Sequence, residues 1–295
     1  MSHQTEAELE NNLIKQLIGL NYKSVKITDS KALLDNLKSQ LEDFNNDSYT
    51  VKEFEAITNH LAKGNVFEKA KTLRDRFSFT RENGEPCYVQ FFDSENRERN
   101  LFQVTNQITQ VGLYENRYDV TILGNGIPLV QIELKRRGLD MKKAFGQIHR
   151  YQRHSFGAND GLFQYIQLFV ISNGVNTNYF ANNRQQSFLQ CAYWADVTNK
   201  HIPELKDFTN GFLNQEQLSK MIAHYVVMNE AHKIMMVMRP YQVYAAEAIV
   251  NNVLAGDDNG YIWHTTGSGK TLTSFKASQI AMDLPGVNKV VFVVD

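Results

Sequence analysis

Residues 117–151 read RYDVTILGNGIPLVQIELKRRGLDMKKAFGQIHRY, and the rest of the chain is arranged around them. Residues 117–123 are rich in β-branched and apolar side chains, as a strand requires. Gly124, Asn125 and Gly126 supply turn chemistry, and residues 127–135 fit the returning strand. Side chains of a strand alternate between faces, so Asp119, Thr121 and Leu123 share one face, while Leu129, Gln131, Glu133 and Lys135 share one face of the partner. A three-residue loop at 124–126 sets Leu123 opposite Ile127 and Asp119 opposite Gln131, with Glu133 on the diagonal. A slip of one residue would scatter the two carboxylates and the ammonium to different faces. After the hairpin, helical spacing runs from Asp140 to Arg153 and places Gln147 and Tyr151, four apart, on one face.

Composition bounds what this chemistry can serve. The chain has 295 residues, room for two domains with cores of ordinary size. Its 31 Lys and Arg against 32 Asp and Glu leave a formal charge of -1, so any polyanion must be met by a local patch. Two cysteines, Cys87 and Cys191, read as ordinary thiols in a reducing compartment. The N-terminus lacks a basic region followed by an apolar run, and no stretch reaches the ~18 consecutive apolar residues of a membrane span. A cytoplasmic protein without membrane contact is expected.

Along the chain, Thr5-Glu6-Ala7-Glu8 reads as a capping box opening an amphipathic helix through Leu9, Leu13, Ile14, Leu17 and Leu20. Glu6 and Glu10 lie at the edge of its apolar stripe, where acids near a helix start are also favoured by the dipole alone. Two or three packing helices follow, then a hairpin over 77–80 and 88–92, and a strand or irregular cover through Phe102, Val104 and Ile108. Strands are expected at 165–171, around Tyr179, and at 188–193. Helical spacing resumes at 213–229. Helices mixed with a central sheet make the fold class α/β. A boundary between Trp194 and Phe212 divides the chain into domains at 1–205 and 206–295.

The second domain carries the more legible motif. Residues 260–264 read as a strand, 265–269 as a loop, 270–282 as a helix and 289–294 as a further strand. Within this frame lie Thr266, Gly267, Ser268, Gly269, Lys270 and Thr271, which suit ATP with its magnesium: glycines let backbone N–H groups wrap the phosphates, Lys270 meets them, and Thr271 holds Mg2+. The full signature has glycine five places before Gly269, where this chain has His264. Gln242, 28 residues before Lys270 and after Arg239-Pro240-Tyr241, stands where helicase-like motors place an adenine-reading glutamine. The stretch ending in Asp295 reads as the next strand of a sheet rather than the magnesium-binding strand, so the sequence is expected to be a fragment ending inside its ATPase core.

The first domain has a weaker pattern with stronger context. Asp119, Glu133 and Lys135 form D-x13-E-x-K, in which two carboxylates can hold Mg2+ and a lysine can orient water or meet an anion. Acids and lysines at such spacing are also common on solvated strands. Here, however, Glu133 interrupts an apolar strand, where an unpaired carboxylate is costly. Residues 135–154 hold seven Lys and Arg with Asp140 as the single acid, a phosphate-attracting patch in a neutral chain. Gln147 and Tyr151 fit either the orientation of a catalytic group or ordinary packing.

These residues resemble the restriction (R, motor) subunits of type I restriction-modification enzymes, close to the type IC group. The resemblance covers nearly the whole chain and is strongest at 117–150, 167–183, 238–242 and 261–276. It implies a RecB-like PD-(D/E)xK nuclease domain with a mixed central sheet, with Asp119, Glu133 and Lys135 as catalytic core and Gln147 and Tyr151 as a Q-x-x-x-Y element. It implies the truncated start of a RecA-like, superfamily 2 translocase, to which Gln242 and residues 266–271 contribute. An acid of the N-terminal helix is implied to support the nuclease, Glu10 in preference to Glu6. The implied partners are double-stranded DNA and methyltransferase (M) and specificity (S) subunits, with ATP-driven pumping and sequence-non-specific cutting at a distance. ATPase and translocase activity are not expected of the fragment itself. Two other readings are a nuclease fold that couples DNA to a motor without cutting, and a plain ATPase or kinase.

Overall fold

The computed structural model describes residues 5–111, 115–256 and 259–293. The first four residues, residues 112–114, Asp257-Asp258 of the acidic loop and the final Val294-Asp295 lie outside the described residues. The chain divides into two units, Met1–Ala192 with Pro203–Val237, and Tyr193–Ile202 with Met238–Asp295. The expected break at 205/206 does not coincide with this division, because residues 203–237 pack with the first unit.

The first unit opens with helix α1 (Glu6–Gly19), whose Thr5 and Glu8 form the expected capping box. Strand β1 (Lys23–Ser24) follows, then helices α2 (Ser30–Asn45), α3 (Val51–Ala62) and α4 (Val66–Thr72), each begun by an Asp, Thr or Asn cap. Strands β2 (Arg76–Thr80) and β3 (Pro86–Gln90) form a separate hairpin. Strands β4 (Phe102–Val111), β5 (Glu115–Gly124) and β6 (Ile127–Leu134) make an antiparallel meander. Helix α5 (Met141–His154) then crosses over to β7 (Leu168–Ser172), parallel to β6, and β8 (Thr177–Ala181) closes the sheet in the order β1-β4-β5-β6-β7-β8. This is the expected mixed α/β sheet. Every residue of β6 is buried, which requires cover on both faces; α1 and α5 both pack against it.

The hairpin differs from expectation in a way that sharpens the site. Its turn has two residues, Asn125 (φ 51°) and Gly126 (φ 83°), with Gly124 paired to Ile127. Two consecutive positive φ values match the natural strand twist, so this turn prevails over the three-residue loop. Such a turn alone would have put Asp119 and Glu133 on opposite faces. A bulge corrects this: Leu123 pairs with Pro128 but Ile122 with Val130, leaving Leu129 as the extra residue beside a proline that has no N–H to give the ladder. The register continues through Val120 and Ile132, so Asp119 stands opposite Glu133 itself rather than opposite Gln131.

Asn125 anchors the turn, accepting from Leu101 N at 2.7 Å and donating to Phe91 O at 3.0 Å. A Cβ at Gly126 would lie 2.8 Å from the Leu37 backbone. Gly126→Ala is therefore expected to destabilise the protein by about 1–3 kcal/mol, read as a shift in denaturant midpoint.

Several other expected elements change. Residues 159–165 form a 3-10 helix, so the strand begins at Leu168, and residues 188–190 form a 3-10 turn with a single bridge from Tyr179 to Ala192 in place of a strand. After α6 (Leu205–Phe212), the helical spacing at 213–229 resolves into α7 (Gln215–Lys220), a π turn (Met221–Tyr225) and a strand, β9 (Val226–Asn229), which pairs with β10 (Ile234–Val237). Two adjacent valines favour the strand over a third helical turn.

In the second unit, α8 (Pro240–Ala255) starts with proline in its first turn and ends at Gly256 in the left-handed region, and α9 (Lys270–Met282) matches its expected bounds. The segments at 260–264 and 289–293 are irregular, contrary to the strand reading. A strand needs hydrogen-bonded neighbours, and neither segment pairs with another among the described residues. No helix among the described residues is long and apolar enough to cross a membrane.

Candidate nuclease and nucleotide sites

Asp119 and Glu133 face each other where β5 meets the end of β6. Asp119 Oδ2 accepts from Leu134 N at 2.8 Å, which fixes its carboxylate toward the partner strand. Glu133 is fully buried. Its Oε1 accepts from Lys135 Nζ at 2.8 Å, and Lys135 also donates to the Leu134 carbonyl at 2.9 Å. Glu133 Oε2 is buried with no hydrogen-bond partner.

That orphaned oxygen shapes the electrostatics. Burial pushes the Glu133 carboxyl up to about 8, and the charge of Asp119 pushes the same way, against the pull of Lys135. Asp119 is raised above the usual carboxylate range, chiefly by burial, then by the charges of Glu10 and Glu6, with the Leu134 N–H and Lys135 opposing. Two acids arranged so that neither ionises comfortably form a place for positive charge. Among the described residues, no three His, Cys, Asp or Glu side chains gather as a set of metal ligands. A cation here would rest on the two carboxylates with main-chain and water oxygens completing its shell, as Mg2+ tolerates.

The N-terminal helix reaches this pair. Glu10 is buried and its oxygens accept from Asn106 Nδ2 and Gln107 Nε2, whereas the exposed Glu6 accepts from Arg136 N at 3.1 Å. Of the two, Glu10 acts more strongly on Asp119. Gln147 and Tyr151 form a brace behind the acids: Gln147 Nε2 donates to Tyr151 Oη, and the Tyr151 hydroxyl donates to the Arg117 carbonyl at 3.1 Å. The buried Tyr151 ring packs edge-on to Tyr118 at 4.8 Å, and burial, followed by the charge of Glu133, raises its hydroxyl pKa. The brace ties α5 to β5 two residues from Asp119. Arg136, Arg137, Lys142, Lys143, Arg150 and Arg153 are exposed around it, so the basic patch is realised at the surface.

Asn106 and Gln107 are the site residues that sequence reasoning missed. Neutral amides in a strand carry no signature, and β4 was expected as cover.

In the second unit the glycine-bearing loop at 265–269, the candidate phosphate loop, takes a cradle shape. Gly267 (φ 76°) and Gly269 (φ 82°) are both left-handed, and Lys270 and Thr271 are exposed at the start of α9. A cavity of about 420 Å³ is bordered by Arg239, Tyr241, Trp263, Thr266, Gly267 and Ser268. Gln242 is buried, its Nε2 donating to Ser268 O at 2.9 Å and its Oε1 accepting from Arg239 N at 2.9 Å, so in this state its amide supports the loop. Tyr241 Oη also donates to Ser268 O at 2.9 Å. His264, where the full signature has glycine, packs edge-on to Tyr241.

Comparison with known proteins agrees with this division. Residues 3–188 match the model of the type I restriction enzyme R protein N terminus. The chain belongs to that family. Residues 235–295 match the type III restriction enzyme res subunit. This R-protein chain is 46% identical over 301 aligned residues to the type I restriction enzyme SauCOLORF180P endonuclease subunit of Staphylococcus aureus (strain COL), covering 100% of this chain and 32% of that relative. It is 40% identical to the EcoprrI endonuclease subunit of Escherichia coli, covering 84% of this chain and 82% of that relative. A putative type I restriction enzyme MjaIXP endonuclease subunit of Methanocaldococcus jannaschii is 25% identical over 72% of this chain and 23% of its own length. The R-protein chain thus spans about a third of the length of the staphylococcal relative.

Proposed function

We propose that the first unit is a Mg2+-dependent PD-(D/E)xK endonuclease domain that cuts double-stranded DNA without sequence preference. The second unit supplies the opening part of an ATP-binding, superfamily 2 translocase core. The protein works in the cytoplasm with methyltransferase and specificity subunits. The observation that carries the nuclease reading is the fully buried Glu133 carboxyl set against Asp119 beside a lysine ammonium, with its Oε2 receiving no hydrogen bond from a fixed donor. A glutamate kept only for structure would have both oxygens hydrogen-bonded at this depth, because an unsatisfied buried polar atom is costly.

The residues divide the work. Asp119 and Glu133 hold the cation, which when bound lowers the pKa of a water and offsets charge on the scissile phosphate. Lys135, anchored by Glu133 Oε1 and the Leu134 carbonyl, offers its ammonium to the phosphate oxygens. Gln147 and Tyr151 keep α5 seated on β5, and the exposed arginines and lysines of residues 136–153 draw the DNA backbone to the site. Attraction to the phosphate backbone carries no base information, in keeping with cutting that ignores sequence. In the phosphate loop, backbone N–H groups and Lys270 meet the nucleotide phosphates and Thr271 the accompanying Mg2+.

Chelation tests the reading. With EDTA the assembled enzyme is expected to leave plasmid DNA intact even with ATP, and added Mg2+ in excess is expected to restore linear product on a gel. ATP hydrolysis shares the need for Mg2+, so a translocation-arrested preparation that retains cation-independent cutting would be decisive against the assignment.

A further inference from the structure

Successive side chains of a strand point to opposite faces, yet Asn106 and Gln107 of β4 both donate to the one carboxylate of Glu10. The backbone explains how. Gln107 has φ 56°, a left-handed conformation that glutamine rarely adopts, and it lies between Asn106, paired with Val120, and Ile108, paired with Tyr118. It therefore stands directly opposite Asp119 while dropping out of the ladder. A strained residue opposite a proposed metal ligand, with its side chain turned onto a neighbouring acid, has a purpose beyond pairing strands.

Resting on the nuclease reading above, we propose that Asn106 and Gln107 are positioning residues that clamp Glu10 in the outer sphere of the cation site. Each oxygen of Glu10 receives one amide N–H, which holds the carboxylate within reach of Asp119 for its charge to act there and leaves coordination to Asp119 and Glu133. With Mg2+ bound, Glu10 would be placed to accept hydrogen bonds from water that the ion retains. The clamp also fastens α1 to β4.

The test is Mn2+ titration of the full-length R protein without nucleotide, followed by electron paramagnetic resonance, together with thermal melts. Asp119→Asn is expected to abolish the tight Mn2+ signal. Glu10→Gln and Gln107→Gly are each expected to weaken it roughly tenfold, and the double variant no further than either alone. Gln107→Gly relieves the left-handed strain, so its metal-free Tm is expected to hold or rise while affinity falls. A merely structural clamp would lower both, and that result overturns the inference. Full Mn2+ affinity in Gln107→Gly with loss in Asp119→Asn refutes the clamp alone. No tight Mn2+ in the wild type, or binding indifferent to Asp119→Asn, refutes the nuclease reading and the clamp with it.

Discussion

Glu133→Ala and Lys135→Ala are each expected to reduce DNA cleavage by the assembled full-length enzyme by about a thousandfold or more, while ATP-driven translocation is expected to continue. Glu133 is one of two carboxylates facing the proposed cation, so truncating it removes half of the protein's direct hold. Lys135 carries the cationic group nearest the acids, and its loss also leaves Glu133 buried without its charged partner. Lys135→Ala is therefore expected to be the less stable of the two only above about pH 8, where Glu133 would ionise without its partner. Cleavage is read from plasmid linearisation and translocation from displacement of a third DNA strand. Unchanged cutting in either variant removes Asp119, Glu133 and Lys135 from the chemistry. Loss of cutting and translocation together points to the coupling role instead.

The second large effect is a pH-dependent stability that the cation reverses. Burial, with the charge of Asp119, pushes the folded Glu133 carboxyl up to about 8 from an ordinary value of 4.5. Between these values the unfolded chain binds fewer protons than the folded one, so stability falls as pH rises; below 4.5 the penalty is absent and above about 8 it is complete. Asp119 is shifted in the same direction and adds to the slope. With each pKa unit worth about 1.4 kcal/mol, the whole window amounts to several kcal/mol. In EDTA, Tm is expected to drop between pH 5 and pH 8, and Mg2+ to restore it most at the upper end, where it meets ionised carboxylates. Glu133→Gln is expected to flatten the profile and to raise metal-free stability at pH 8. A profile that is the same in Glu133→Gln as in the wild type would assign the slope to other groups.

Much of the site was legible because period-two alternation and the acid-base spacing are local signals. The hairpin, the helix carrying Gln147 and Tyr151, the capping box before Glu10 and the helix after Lys270 all stand where residue patterning puts them. What patterning could not supply was the register. A two-residue turn and a bulge at Leu129 each shift the face by one position, and together they restore the face while moving Glu133 from Asp119's diagonal to directly opposite it. The Asn106 and Gln107 clamp was invisible for a related reason: it depends on one left-handed backbone angle in a strand, which no side-chain pattern encodes. The valines of β9 were read as helix because short apolar runs suit either period, and pairing with β10, a long-range fact, decides between them. Residues 260–264 show the converse. Their strand-like composition has no partner among the described residues, and composition alone does not make a ladder.

The central claim, that Asp119 and Glu133 are the cation-holding pair of a nuclease, is tested most directly by anomalous diffraction from crystals soaked in Mn2+. The account predicts a peak between the two carboxylates, within coordination distance of Glu133 Oε2 and with Lys135 Nζ nearby. Saturating Mn2+ with no peak at this pair, and Glu133 Oε2 still buried and unpartnered, would contradict it.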